Sequence, residues 1–143
     1  MHLVDSNIWF ALHIPAHQFH KPSQEWLDTV GRESALFCRF TQQAFLRLLT
    51  MKSPMELHNA TPLGNKAAWA VYEGVREDHR TGWADEPRGL EPVWKRFSSD
   101  PRPSPNFWMD PYRAAFAVAG GYKLVTADKG FKQFKNLDLV LIQ

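Results

Sequence analysis

The sequence predicts an α/β domain, a central and mostly parallel sheet of about four or five strands flanked by helices. Three observations carry this prediction. Short apolar runs alternate along the chain with longer segments of helical periodicity. At 143 residues, with no internal repeat and no linker-like stretch, the chain reads as one domain over residues 1–143. Its composition, 44% apolar and 22% charged, is that of a chain able to bury a core. A disulfide-stapled miniprotein and a disordered tail are thereby excluded.

The elements follow in order. His2-Leu3-Val4 is a short apolar strand that stops at Asp5. Asp5, Ser6 and Asn7 are cap-type residues, and Ile8 to Leu12 follow as a helical turn or two, closed by Pro15. A second helix is expected over residues 22–30, with Trp26, Leu27 and Val30 on one face. Ala35-Leu36-Phe37-Cys38 is the second strand. Thr41 reads as the N-cap of a helix over residues 42–50, apolar nearly all round at Phe45, Leu46, Leu48 and Leu49 and so expected to be buried. Pro54 to Pro62 reads as a connection. Ala68, Val71, Tyr72 and Val75 give a helix over residues 63–78 its apolar face. A third strand is expected at residues 81–84 and a short helix at 90–97. Three prolines between Ser98 and Pro105 make a stiff loop. Asp110 then caps a helix with Pro111 in its first position, and Gly120-Gly121 stops it. A strand at residues 123–126, a short helix at 130–134 and a last strand at 137–142 complete the alternation.

Charge and composition say little about function. Seventeen basic and 15 acidic residues give a net charge of +2, too small by itself to argue for nucleic acid. A single cysteine, Cys38, cannot form an internal disulfide, and no apolar run approaches the roughly 20 residues of a membrane span. The N-terminus lacks a basic leader, so a cytoplasmic chain with no membrane partner is expected.

The informative feature is where Asp5, Asp110 and Asp128 fall. Asp5 follows the first strand, Asp128 lies just past the Val125-Thr126 strand end, and Asp110 opens a helix. In open parallel sheets the carboxyl ends of strands form the ligand crevice. Clustered carboxylates repel one another, and a hard cation relieves that repulsion. Aspartate also favours caps and turns for purely local hydrogen bonds, and spacing alone leaves the two readings even. A receiver domain or a haloacid-dehalogenase-like phosphatase fits poorly: the phosphatase needs D-x-D after its first strand, where this chain has Asp5-Ser6-Asn7.

The segments LVDSNIWFALH, TQQAFLRLLT, FWMDPYRAAFAVAGGYKLVTADKGF and LDLVLI, in this order, resemble the PIN-domain family, in its branch of VapC-type ribonuclease toxins of bacterial toxin–antitoxin pairs. The resemblance covers nearly the whole chain. Its most specific part is the spacing of seventeen residues between Asp110 and Asp128, with an Ala-rich helix between them and Thr126 to Phe131 at the end. It implies a Mg²⁺-dependent endoribonuclease, with Mn²⁺ as an alternative metal, and products carrying a 5′-phosphate. Asp5, Asp110 and Asp128 match the first, third and fourth family acids, the catalytic and metal-holding residues. Asn7 and Thr126 match supporting positions. The second family acid is a glutamate in a T-x-x-E-L pattern, and Thr41-Gln42-Gln43-Ala44-Phe45 puts Ala44 there instead. Gln42 or Gln43 could offer an amide oxygen in its place, but an amide carries no charge and cannot act as a base. The resemblance also implies a homodimer and a VapB-like antitoxin laid along a groove.

Arg113, Lys129 and Arg39 are the cations expected nearest this site, where phosphate contacts position RNA without reading its sequence. A tRNA or rRNA loop is the expected target class, since unstacked bases are the readable ones. His13, His17 and His20 lack a Cys or acidic partner at ligand spacing and receive no metal role. Phe107 and Trp108, on the Pro-rich loop, are expected at the site rim or against a partner. The competing reading is a non-catalytic binding protein on the same fold, impaired by Ala44. Setting the three aspartates aside leaves 17 basic against 12 acidic residues, a surface more basic than the total implies.

Overall fold

The computed structural model describes residues 1–143. In chain order the elements are β1 (His2–Val4), α1 (Ser6–His13), α2 (His20–Leu27), β2 (Ala35–Phe37), α3 (Arg39–Thr50), α4 (Lys52–Leu57), α5 (Asn65–Glu77), β3 (Thr81–Trp83), α6 (Leu90–Ser98), α7 (Met109–Gly120), β4 (Lys123–Thr126) and β5 (Leu139–Leu141), with a 3₁₀ turn at Lys129–Gln133. The five strands form one sheet in the order β3-β2-β1-β4-β5, and every pairing is parallel. The expected fold class is the observed one.

The strands read as unbroken apolar runs because both faces of the sheet are covered. Side chains alternate between faces along a strand. Leu3, Leu36 and Leu124 therefore enter one core with Ala114, Ala115, Phe116 and Phe131, beneath α6 and α7. Val4, Phe37 and Val125 enter the other with Ile8, Trp9, Phe45 and Tyr72, beneath α1, α3 and α5. Within the second core the Trp9 and Phe37 rings stack with centroids 4.0 Å apart. Three alanines of α7 are fully buried, and their small side chains let that helix lie close to the sheet.

Several expected boundaries move, each for a local reason. Helix α3 begins at Arg39, not Gln42, and its N-cap is Cys38. Thr41 is its third residue, where the hydroxyl accepts the Cys38 N–H at 3.0 Å, closing the same ring from the other end. Leu46 and Leu48 are half-buried, so α3 is amphipathic and not buried all round. The stretch from Pro54 to Pro62, expected to be a connection, starts inside α4. Asp110 does not cap α7: the cap is Trp108, and Asp110 lies in the first turn. Pro22, Pro54, Pro92 and Pro111 are each the third residue of a helix. The first four helical N–H groups have no intrahelical acceptor, so a proline there removes nothing.

Candidate functional site

The strand order reverses between β1 and β4, because the chain winds outward from β1 through β2 and β3 on one side and through β4 and β5 on the other. At such a switch point the carboxyl ends of neighbouring strands open a crevice. Val4 pairs with Val125, so Asp5 and Thr126 emerge side by side. Asp5 is the N-cap of α1, fully buried, and its Oδ1 accepts the Ser6 N–H at 2.8 Å. The Thr126 hydroxyl, also buried, donates to Asp5 Oδ2 at 2.7 Å. The Thr126 Oγ1 in turn accepts from Asn7 Nδ2 at 3.2 Å and from the Asp128 N–H at 3.1 Å. One hydroxyl thus ties three sequence-predicted residues to one another.

Helix α7 brings the second carboxylate. Arg113 Nη1 donates to Asp5 Oδ1 and Arg113 Nη2 to Asp110 Oδ1, so one guanidinium bridges two carboxylates from opposite ends of the chain. Its side chain is only 15% exposed. The Phe131 and Phe40 ring centroids lie 5.2 and 5.5 Å from its Cζ. Burial works against the charge, but Asp5 and Asp110 outweigh it and raise the Arg113 pKa above its ordinary value. Beside this bridge opens a cleft of about 460 Å³, whose wall includes Ser6, Ala44, Trp108, Met109, Asp110 and Arg113. It contains acidic, cationic and apolar surface within reach of one phosphodiester-sized ligand.

No family model matches the chain. Ribonuclease VapC41 of Mycobacterium tuberculosis, in each of two strains, is 44% identical over 144 aligned residues, 99% of this chain and 99% of the relative. The chain belongs to the VapC family of endoribonuclease toxins. Two solved structures agree in fold. VapBC2 of Rickettsia felis, bound to a DNA fragment from its promoter, superposes with a TM-score of 0.64 at 14% identity, covering 99% of this chain and 98% of that one. Mycobacterium tuberculosis VapC20, a sarcin-ricin loop cleaving toxin, gives 0.63 at 15% identity, covering 96% and 98%.

Against the VapC pattern, this chain places its residues unevenly. Ala44 is half-buried on the wall of the cleft with Asp110 and Arg113, so no carboxylate projects from α3 at that point. The glutamines of the same turn do not replace it. Gln42 is buried with its Oε1 accepting from Arg39 Nη1 at 2.6 Å, and Gln43 is exposed with no hydrogen bond to the site. Asp128 is exposed, and its Oδ1 accepts the Gly130 N–H at 2.7 Å as the cap of the 3₁₀ turn. Asp5 and Asp110 share the Arg113 guanidinium while Asp128 turns its carboxylate to the 3₁₀ turn, so no three acidic, His or Cys side chains converge in one cluster. Between Asp5 and Asp110, Arg113 supplies part of the counter-charge. Lys129 is exposed beside Asp128, while Arg39 stacks on the Trp83 ring at 4.9 Å. Trp108 is 55% exposed on the cleft rim, whereas Phe107 packs into the core against Phe134. His13 and His20 give their Nδ1 to the carbonyls of Trp9 and Ala11, each at 2.7 Å.

Sequence reasoning expected Arg113 on the substrate and missed its bridging of the two carboxylates. The signal was available: Asp110 and Arg113 stand three apart on one helix, where opposite charges meet. The Ser6 N–H on Asp5 was likewise legible as a consequence of the cap.

Proposed function

We propose that this VapC toxin cleaves RNA at a divalent cation, Mg²⁺ or Mn²⁺, held by Asp5 and Asp110, with Asp128 as the third acid on the same crevice. The observation that supports this reading most is the convergence of two carboxylates on one point at the switch of the sheet. The donor set suits a hard cation. It consists of oxygens alone, its two carboxylates exceed the one guanidinium between them, and Asn7 Oδ1 beside them is buried with no donor. When bound, the cation supplies activation of a water and neutralises charge developing on the phosphate.

The remaining roles belong to the chain. The Ser6 N–H and the Thr126 hydroxyl fix Asp5 in one orientation, and Asn7 fixes the Thr126 hydroxyl in turn. Asp128, held at its main chain by Thr126 and at its carboxylate by Gly130, presents its charge at the solvent edge. Lys129 meets the RNA backbone there, and Trp108 offers an exposed ring for a base. Single-stranded loops of tRNA or rRNA are the substrate class, in the cytoplasm. A VapB-like antitoxin and a second copy of the chain are the protein partners.

The test is cleavage of a loop-containing RNA by purified chain freed of any antitoxin. Cleavage is expected to stop in EDTA, to return with Mg²⁺ or Mn²⁺, and to leave 5′-phosphate ends. Undiminished cleavage in EDTA overturns the metal reading.

A further inference from the structure

Arg113 is bound more completely than a substrate-binding cation needs to be. Both of its terminal nitrogens are on catalytic carboxylates, two aromatic rings flank it, and its Nε is buried without an acceptor. An arginine placed for hydrogen bonding alone would not leave a buried donor unmet. Charge pairing therefore holds it where it is.

The bonds on each oxygen show what this pairing excludes. Asp5 Oδ2 is occupied by the Thr126 hydroxyl. Asp5 Oδ1 takes the Ser6 N–H and Arg113 Nη1, with the Ser6 hydroxyl as a third and longer donor at 3.5 Å. A carboxylate oxygen has two lone pairs in its plane, so Oδ1 is filled. Asp110 Oδ1 is taken by Arg113 Nη2, and only Asp110 Oδ2 has no partner. A cation seated where the Oδ1 atoms of the two aspartates face each other meets the guanidinium already there, and takes Oδ1 of Asp5 by displacing it.

We propose that Arg113 is the resident counter-ion of the Asp5–Asp110 pair and competes with the divalent cation for it. Arg113 offsets one of the two negative charges of the metal-free site, and sets how much cation is needed to load it. On loading, the guanidinium leaves Asp5 Oδ1 and remains within the crevice, where a phosphate is its next acceptor. The inference rests on the metal reading given above and adds a residue that tunes it. Arg113 is thus a positioning residue for the carboxylates.

Equilibrium Mn²⁺ binding, read by the paramagnetic signal of free Mn²⁺, separates the two ideas without an activity assay. Arg113→Met is expected to bind Mn²⁺ about tenfold or more tightly than wild type, and its unfolding temperature should rise on adding Mn²⁺ far more than that of wild type. Arg113→Lys keeps one charge but cannot fork across two carboxylates, and should fall between them. If Arg113→Met is unfolded without metal, the proposal requires that Mn²⁺ refold it. Affinity in Arg113→Met and Arg113→Lys equal to or weaker than wild type, with binding abolished in Asp5→Asn, overturns the competition and leaves the metal reading intact. A failure of wild type and both variants to bind Mn²⁺ removes both.

Discussion

Thr126 is a buried hydroxyl with all of its hydrogen-bonding capacity used. It donates to Asp5 and accepts from Asn7 and from the Asp128 main chain, so the sequence separation of these residues is cancelled by one side chain. Thr126→Val keeps the shape but takes a partner from the buried Asp5 Oδ2, from the Asn7 side-chain amide and from the Asp128 N–H. The expected loss is about 1–3 kcal/mol of stability by chemical denaturation, while Thr126→Ser should retain most of it. The identities of Asp5, Asn7, Asp110, Thr126 and Asp128 were legible in the sequence, from strand ends and from the family resemblance. Their contacts were not equally legible. Asp5 and Thr126 meet because their strands are neighbours, which alternation alone does not reveal. The Arg113 bridge needs both the pairing of β1 with β4 and the seating of α7, and only its Asp110 half is local.

At the scale of the element, strand and helix identities were readable because apolar periodicity is a strong signal. Ends were less so, because one residue type serves several terminal positions. Thr41 reads as a cap in the sequence and is the third residue of α3, and Asp110 reads as a cap and lies in the first turn of α7. The second shift matters functionally: a carboxylate not spent on helix N–H groups is free to reach Arg113. Gly82 shows an element fixed by one close approach. A Cβ there would sit 2.6 Å from the Glu33 carbonyl and 2.7 Å from Leu36 Cδ2, where β3 lies against β2. Backbone cannot yield as a flexible side chain does, so Gly82→Ala should cost about 1–3 kcal/mol, measured as a lowered denaturation midpoint. A neutral result would mean that the edge strand shifts freely.

Across the whole molecule, the doubly covered sheet explains why fold class was the easiest inference and the charge balance of the crevice the hardest. A continuous apolar strand flanked by helices has few alternatives, whereas the charge state of a crevice depends on every side chain that reaches it. Ala44 and Arg113 together change that balance, one by omitting a negative charge and the other by adding a positive one. No helix is long and apolar enough to cross a membrane. Global stability should also carry a signature of buried histidine. His2, His13 and His17 all have pKa values lowered below 6.5, chiefly by burial. The unfolded chain then binds protons that the folded chain refuses. Stability should be complete above the unfolded histidine value and decline from about pH 6.5 toward pH 5. Asp78, held near 2 chiefly by the Arg80 hydrogen bond, titrates below this window. Denaturation midpoints that stay level from about pH 8 to pH 5 would contradict the burial argument. The central claim, that Asp5 and Asp110 form the cation-dependent centre of RNA cleavage, is tested most directly by single-turnover cleavage of one RNA by wild type and Asp5→Asn in saturating Mg²⁺, with folding checked by circular dichroism. The account predicts a loss of about 100-fold or more in rate with the fold retained. A folded Asp5→Asn protein that cuts RNA at the wild-type rate would contradict it.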